Sequence, residues 1–121
     1  MSWDLNSTEP IYLQLVKEIE LRIITGIYPV GSQLPGVRVM AQDAAVNPNT
    51  MQKALQELER KELVYTQRTS GRFVTDDMNI IENAKMRIAT DYITDFLDGM
   101  QKLGISKYDA AALINKAAKE E

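Results

Sequence analysis

Asn47-Pro48-Asn49-Thr50 carries two helix-start signals in four residues. An Asn before a helix accepts from an otherwise unpaired backbone N–H, and Pro suits the first helical position, where its missing N–H leaves nothing unsatisfied. A helix therefore begins here. Beyond it, Met51, Ala54, Leu55 and Leu58 recur at i, i+3, i+4 and i+7, which leaves Asn49, Gln52, Lys53 and Gln56 on the opposite side. One face is suited to a core; the other presents carboxamides and an ammonium.

Immediately upstream, residues 36–44 form a second helical stretch that buries Val37, Met40, Ala41 and Ala44, and only Ala45-Val46 separates it from the first. Two helices joined by so tight a turn make a helix-turn-helix. Immediately downstream, Leu63-Val-Tyr-Thr-Gln-Arg68 and Arg72-Phe-Val-Thr75 are β-rich runs split by Thr69-Ser70-Gly71, the pattern of a small hairpin. A hairpin in that place is a wing.

The flanks complete the fold. Ile11, Leu15, Ile19 and Ile23, joined by Tyr12 and Val16, give a first helix that opens near Pro10 with Thr8 as its N-cap and ends at Gly26. Residues 28–35 are too rich in Pro and Gly for a helix and leave room only for a short strand at Gln33 and Leu34. After Asp76-Asp77 a long helix runs from about residue 79 to 102; Gly104 caps its end, and Ser106 with Asp109 forms a capping box for a last helix reaching about Lys119. The fold class is thus mainly α with a small β-hairpin wing. Residues 1–76 form a winged helix-turn-helix, and residues 77–121 a two-helix tail.

The tail carries an apolar stripe of Ile81, Ile88, Tyr92, Ile93, Phe96, Leu97 and Met100, too wide for the small last helix to cover. Contiguous apolar surface of that kind marks an interface, so the tail is expected to be a dimerisation element.

Composition removes whole classes of function. The chain has 121 residues, enough for one compact domain and an appendage but not for a large ligand-binding domain. It contains no Cys and no His, so disulfides, thiolate chemistry and Cys/His metal sites lack ligands. Asp91, Asp95 and Asp98 share a face of the long helix, but with no nucleophile motif or phosphate loop nearby they are the solvated side of an amphipathic helix. No catalytic residue, metal site or cofactor is expected. No apolar run has membrane length and the first residues lack a signal-peptide pattern, which predicts a cytoplasmic protein without a membrane partner.

Net charge is −3, which counts against a nucleic-acid partner until its distribution is considered. Between Gly36 and Phe73 the six basic residues outnumber the four acidic ones, a local excess of two positive charges. In a helix-turn-helix the second helix enters the major groove of double-stranded DNA, and Asn or Gln at its start can read adenine through a bidentate pair. Asn49, Gln52 and Lys53 are the candidate readers. Arg38, in the first turn of the preceding helix, is placed for a phosphate, and Arg68 and Arg72 bracket the hairpin tip, where guanidiniums could meet the backbone or a minor groove.

In order along the chain, Pro10-Ile-Tyr-Leu-Gln-Leu15, Gly26, Pro29-Val-Gly31, Leu34-Pro35, Arg38, Val46-Asn-Pro-Asn-Thr-Met51, Ala54-Leu55, Leu58, Leu63-Val64 and Gly71-Arg-Phe-Val74 resemble the signature of the GntR family of bacterial transcription regulators, and within it the short YtrA-like branch. The resemblance spans residues 8–75; the tail is similar in length and in its two-helix pattern. It implies a homodimer on an inverted-repeat operator, usually a repressor. It also implies DNA contacts at Arg38, Asn47, Asn49, Thr50 and Gln52 and, in the wing, at Arg68 and Gly71. Several positions depart from the pattern: Gly36 stands for a usual Ser, Ala45 and Glu62 for Gly, Thr69 for the first wing Gly, and Arg72 for Thr.

Two readings remain from the residues: a sequence-specific DNA-binding homodimer, or a winged-helix module that binds protein through its apolar surfaces without touching DNA. The sequence specifies no effector, and leaves open whether one exists.

Overall fold

The computed structural model describes residues 3–120. The chain runs α1 (Ile11–Ile24), α2 (Val37–Ala44), α3 (Pro48–Arg60), β1 (Val64–Gln67), β2 (Gly71–Val74), α4 (Met78–Lys102) and α5 (Lys107–Lys119). It divides into two compact units, Met1–Ala84 and Lys85–Glu121.

In the first unit α1 and α2 pack on α3, whose apolar face is fully withdrawn from water: Met51, Ala54, Leu55 and Leu58 are each at most 1% exposed. They meet Leu15, Ile19 and Ile23 of α1 and Met40, Ala41 and Ala44 of α2. At about 1.5–3 kcal/mol for each large side chain withdrawn from water, this cluster is the main force holding the three helices together. Val37, expected in the core, is only half-buried, because it sits at the first position of α2.

The wing is an antiparallel pair with Tyr65 opposite Phe73 and Thr66 opposite Arg72. The expected third segment is present as one bridge, Gln33 to Phe73, flanked by bonds from Leu34 N–H to Arg72 O (2.8 Å) and from Val74 N–H to Ser32 O (2.8 Å). These tie the otherwise irregular 28–35 stretch to the free edge of β2. Stacked rings of Tyr65 and Phe73, 5.7 Å apart, stiffen the ribbon.

The start of α1 departs from expectation. Pro10, not Thr8, holds the N-cap position, and no side chain caps the helix. The Thr8 hydroxyl bonds Asn6 instead, while buried Gln14 clamps the preceding segment: its amide donates to Asn6 O and Glu9 O and its oxygen accepts from Asn6 N–H.

The junction with the tail also lies further along than residue 76. Ile81 and Ala84 are 5% and 2% exposed and belong to the core of the first unit, so the opening turns of α4 are part of the winged helix. Ile81 accordingly leaves the stripe assigned to dimerisation. In the second unit Ala110 is fully buried, as a small residue at a close helix contact must be, and the Ser106 hydroxyl accepts from Asp109 N–H at 3.1 Å to cap α5. Tyr92 and Ile93 are more than half exposed, Ile88, Phe96, Leu97 and Met100 half-buried, and Leu113 and Ile114 of α5 about half exposed.

Candidate nucleic-acid interface

The end of α2 and the start of α3 are built by two local devices. Ala45 takes left-handed backbone (φ 58°), which reverses the chain after α2 and lets Val46 N–H bond Ala41 O at 2.9 Å. Asn47 then caps α3: its side-chain oxygen accepts from Asn49 N–H at 2.7 Å, with Pro48 in the first turn. Asn47 thus uses one lone pair of its carboxamide oxygen to cap the helix, and its NH2 group has no partner in this bond.

Along the outer face of α3, Asn49 and Gln56 are exposed and Thr50 is half-buried. Lys53 is exposed, with its ammonium 3.9 Å from the ring centre of Tyr12, a cation–π contact that positions the charge without neutralising it. Gln52 is half-buried and accepts from Arg72 Nη1 at 3.2 Å. Gln56 belongs to the same face as Asn49 at i+7, a spacing visible in sequence, and joins the set of candidate readers.

Ion pairing sorts the basic residues. Arg60 pairs with Glu57, Lys61 with nearly buried Glu20 at 2.6 Å, and Arg72 with Glu59 at 2.6 Å. Among the described residues Arg38, Lys53 and Arg68 have no ion-pair partner. Arg38 and Arg68 are exposed, one at the start of α2 and the other at the tip of the wing. The local acids are largely consumed within the fold while three cations stay available, which is how a chain of net charge −3 can present a positive face.

The tip of the wing is set by Gly71, whose φ of 111° suits glycine and where a Cβ would stand 3.0 Å from the Gln33 amide nitrogen. That amide donates to Ser70 O, bracing the turn. Glu59, not singled out by the sequence, is the hinge between α3 and the wing: it accepts from both Thr66 and Arg72. Partial burial pushes its carboxyl up, but the bonds from Thr66 and Arg72 and the charge of Arg72 outweigh this and hold it below the usual carboxylate range. The sequence gives no sign of a role for Trp3 either; its indole N–H reaches Asp43 at 3.4 Å and its ring lies 3.9 Å from the Arg22 guanidinium.

Among the described residues no set of three or more His, Cys, Asp or Glu side chains could hold a metal, and no helix is long and apolar enough to cross a membrane.

Residues 11–74 match the family described as bacterial regulatory proteins, gntR family. The HTH-type transcriptional repressor YtrA of Bacillus subtilis is 32% identical over 113 residues, covering 93% of this chain and 82% of that protein. A GntR family transcriptional regulator from Listeria monocytogenes superposes with a TM-score of 0.85 at 39% identity, covering 93% of this chain and 98% of that one. The AraR DNA-binding domain, solved in complex with operator ORE1, superposes with a TM-score of 0.54 at 27% identity over 62% of this chain and 94% of its own. The first two matches cover far more of the chain than a winged helix alone, and the third covers less than two thirds of it. These likenesses support DNA binding over a purely protein-binding module: the chain belongs to the GntR family of bacterial DNA-binding transcription regulators, and it is not an enzyme.

Proposed function

We propose that the protein is a repressor that binds an inverted-repeat operator as a homodimer, in the cytoplasm where bacterial DNA lies. The observation that carries the DNA half of this reading is the exposure of Asn49, Lys53 and Gln56 on the outer face of α3, together with two exposed cations of the same unit, Arg38 and Arg68, that no ion pair neutralises among the described residues. In this reading Arg38 and Arg68 engage phosphates, Asn49 and Gln52 reach base edges, and Asn47, Thr50, Lys53 and Gly71 complete the contact through side chain or backbone. Residues 85–121 pair the subunits through the remainder of α4 and through α5, where Tyr92, Ile93, Leu113 and Ile114 are left in water by the single chain.

The repressor role rests on the likeness to YtrA. Fluorescence anisotropy on DNA from upstream of the gene tests the binding reading: saturable, sequence-dependent binding with one dimer per site supports it, and binding of equal strength to all sequences refutes it. Transcription from the bound promoter should rise when the gene is deleted; a fall would make the protein an activator.

A further inference from the structure

Arg72 is the predicted DNA contact whose placement departs most from that role. It stands on β2 opposite Thr66 with its side chain only 19% exposed. Its Nε donates to Glu59 Oε1 at 2.6 Å and its Nη1 to the Gln52 side-chain oxygen at 3.2 Å. A guanidinium has five donors and no acceptor, so only the oxygen end of the Gln52 carboxamide can face it. Chemistry therefore sets the orientation of Gln52: its oxygen end is turned to Arg72, which takes one of its two lone pairs, and the NH2 group is the end left facing away from the guanidinium.

A free glutamine pairs with adenine by accepting from N6–H and donating to N7. With its oxygen end turned to Arg72, Gln52 cannot aim oxygen and NH2 together at one adenine without breaking that bond, and the NH2 end is the one it presents. What remains is a donor. Guanine offers two adjacent acceptors in the major groove, N7 and O6, and thymine offers O4, whereas adenine places its own N6 donor beside N7 and would set donor against donor. The Glu59 carboxylate, itself held by Thr66, keeps the Arg72 charge satisfied within the fold, which lowers the gain from turning it toward a phosphate.

We propose that Arg72 makes Gln52 a donor-only reader, selecting guanine or thymine over adenine at the base it faces. Arg72 is then a positioning residue acting through Gln52, and the proposal rests on α3 being the recognition helix.

The test is selection of bound sequences from a randomised duplex DNA pool by the full-length protein and its Gln52→Ala and Arg72→Met variants. The base pair whose preference vanishes in Gln52→Ala is the one Gln52 reads. Guanine or thymine is expected there for the unmodified protein, and Arg72→Met should shift that single position toward adenine by at least about fivefold, the lower end of what a bidentate pair discriminates. A merely structural role for Arg72 would weaken every position together. Adenine at that position in the unmodified protein, an unchanged preference in an Arg72→Met protein folded by circular dichroism, or identical selections by Gln52→Ala and the unmodified protein would each overturn the proposal. Should Arg72→Met fail to fold, the comparison of the unmodified protein with Gln52→Ala still decides which base is read. If the unmodified protein enriches no sequence at all, the reading of α3 falls first and the proposal falls with it.

Discussion

Ala45 and Glu62 occupy the same left-handed backbone region, φ 58° and 66°, one just before α3 and the other just after it. Each terminates a helix in the same way: Val46 N–H returns to Ala41 O after α2, and Leu63 N–H returns to Leu58 O after α3. At the end of α4 the equivalent place is taken by Gly104 (φ 79°), with Ile105 N–H bonding Met100 O. Glycine enters this region without steric conflict, whereas an L side chain costs about 1–2 kcal/mol. The chain is therefore strained just after α2 and just after α3, where the fold would accept glycine.

Replacing either residue by glycine should stabilise the protein. Relief of strain is offset in part by the greater entropy of glycine in the unfolded chain, about 0.4–1 kcal/mol, so a net gain of about 0.5–1 kcal/mol is expected for Ala45→Gly and for Glu62→Gly. Urea unfolding should show the midpoint move up with an unchanged slope. A lower midpoint in either variant would mean that the backbone there is held by something other than helix termination.

Glu59 ties stability to acid pH. Its carboxyl lies below the ordinary value in the folded protein, so its contribution is fully present above the unfolded value of about 4.3 and is lost as pH falls through the lower folded value. Glu59→Gln should cost about 1 kcal/mol at pH 7, since it weakens charge-assisted bonds to Thr66 and Arg72 at a partly solvated site. That difference should shrink as pH is lowered through the carboxylate range. Parallel unfolding curves at pH 7, 4 and 3 check the sign: a gap that widens toward acid contradicts the assignment.

Arg38 and Asn49 should fail in different ways. Arg38 is exposed at the start of α2 and free of ion pairs among the described residues, so Arg38→Ala should weaken binding to all sequences alike and flatten the salt dependence by about one unit of logarithmic slope. Asn49→Ala should leave that slope nearly unchanged and relax preference at particular base pairs, by about 1–3 kcal/mol each. Titrations at several salt concentrations with matched and mismatched duplexes separate the two. If both variants lose all sequences equally at constant slope, the backbone and base roles are misassigned.

What the sequence made legible were the features written locally. The Asn47-Pro48 start, the core face of Met51, Ala54, Leu55 and Leu58, and the hairpin around Gly71 all lie within a few residues of their signals, and all appear in the structure. What it did not disclose were contacts between residues far apart in the chain. Arg72 reads as a wing cation placed for the DNA backbone or a minor groove until the hairpin register sets it opposite Thr66 and near Glu59 and Gln52, which lie 13 and 20 residues back. Ile81 reads as part of one continuous stripe because helical periodicity records that a face is apolar but not which neighbour covers each part of it. Thr8 reads as a cap for a related reason: a hydroxyl two residues before Pro10 has the right chemistry, but Asn6 engages it first.

That division of the stripe determines how the pairing role of the tail should be tested. Ile81→Ala should destabilise the winged helix by about 2–4 kcal/mol, because it opens a cavity in a site that is 5% exposed, and a chain ending at Asp76 should suffer the same damage. Neither change is a clean probe of dimerisation. Ile93 is 56% exposed and Tyr92 63%, so a charge there costs the single chain little but would lie inside the proposed interface. Ile93→Asp should therefore leave the unfolding midpoint of the winged helix nearly unchanged while converting dimer to monomer. Operator binding should fall steeply with it, since two half-sites no longer share one dimer's effective concentration, yet binding to an isolated half-site should be preserved. Sedimentation equilibrium at micromolar concentration decides the matter. An unmodified protein that runs as a monomer, or an Ile93→Asp protein that remains a dimer, would remove α4 from the pairing surface.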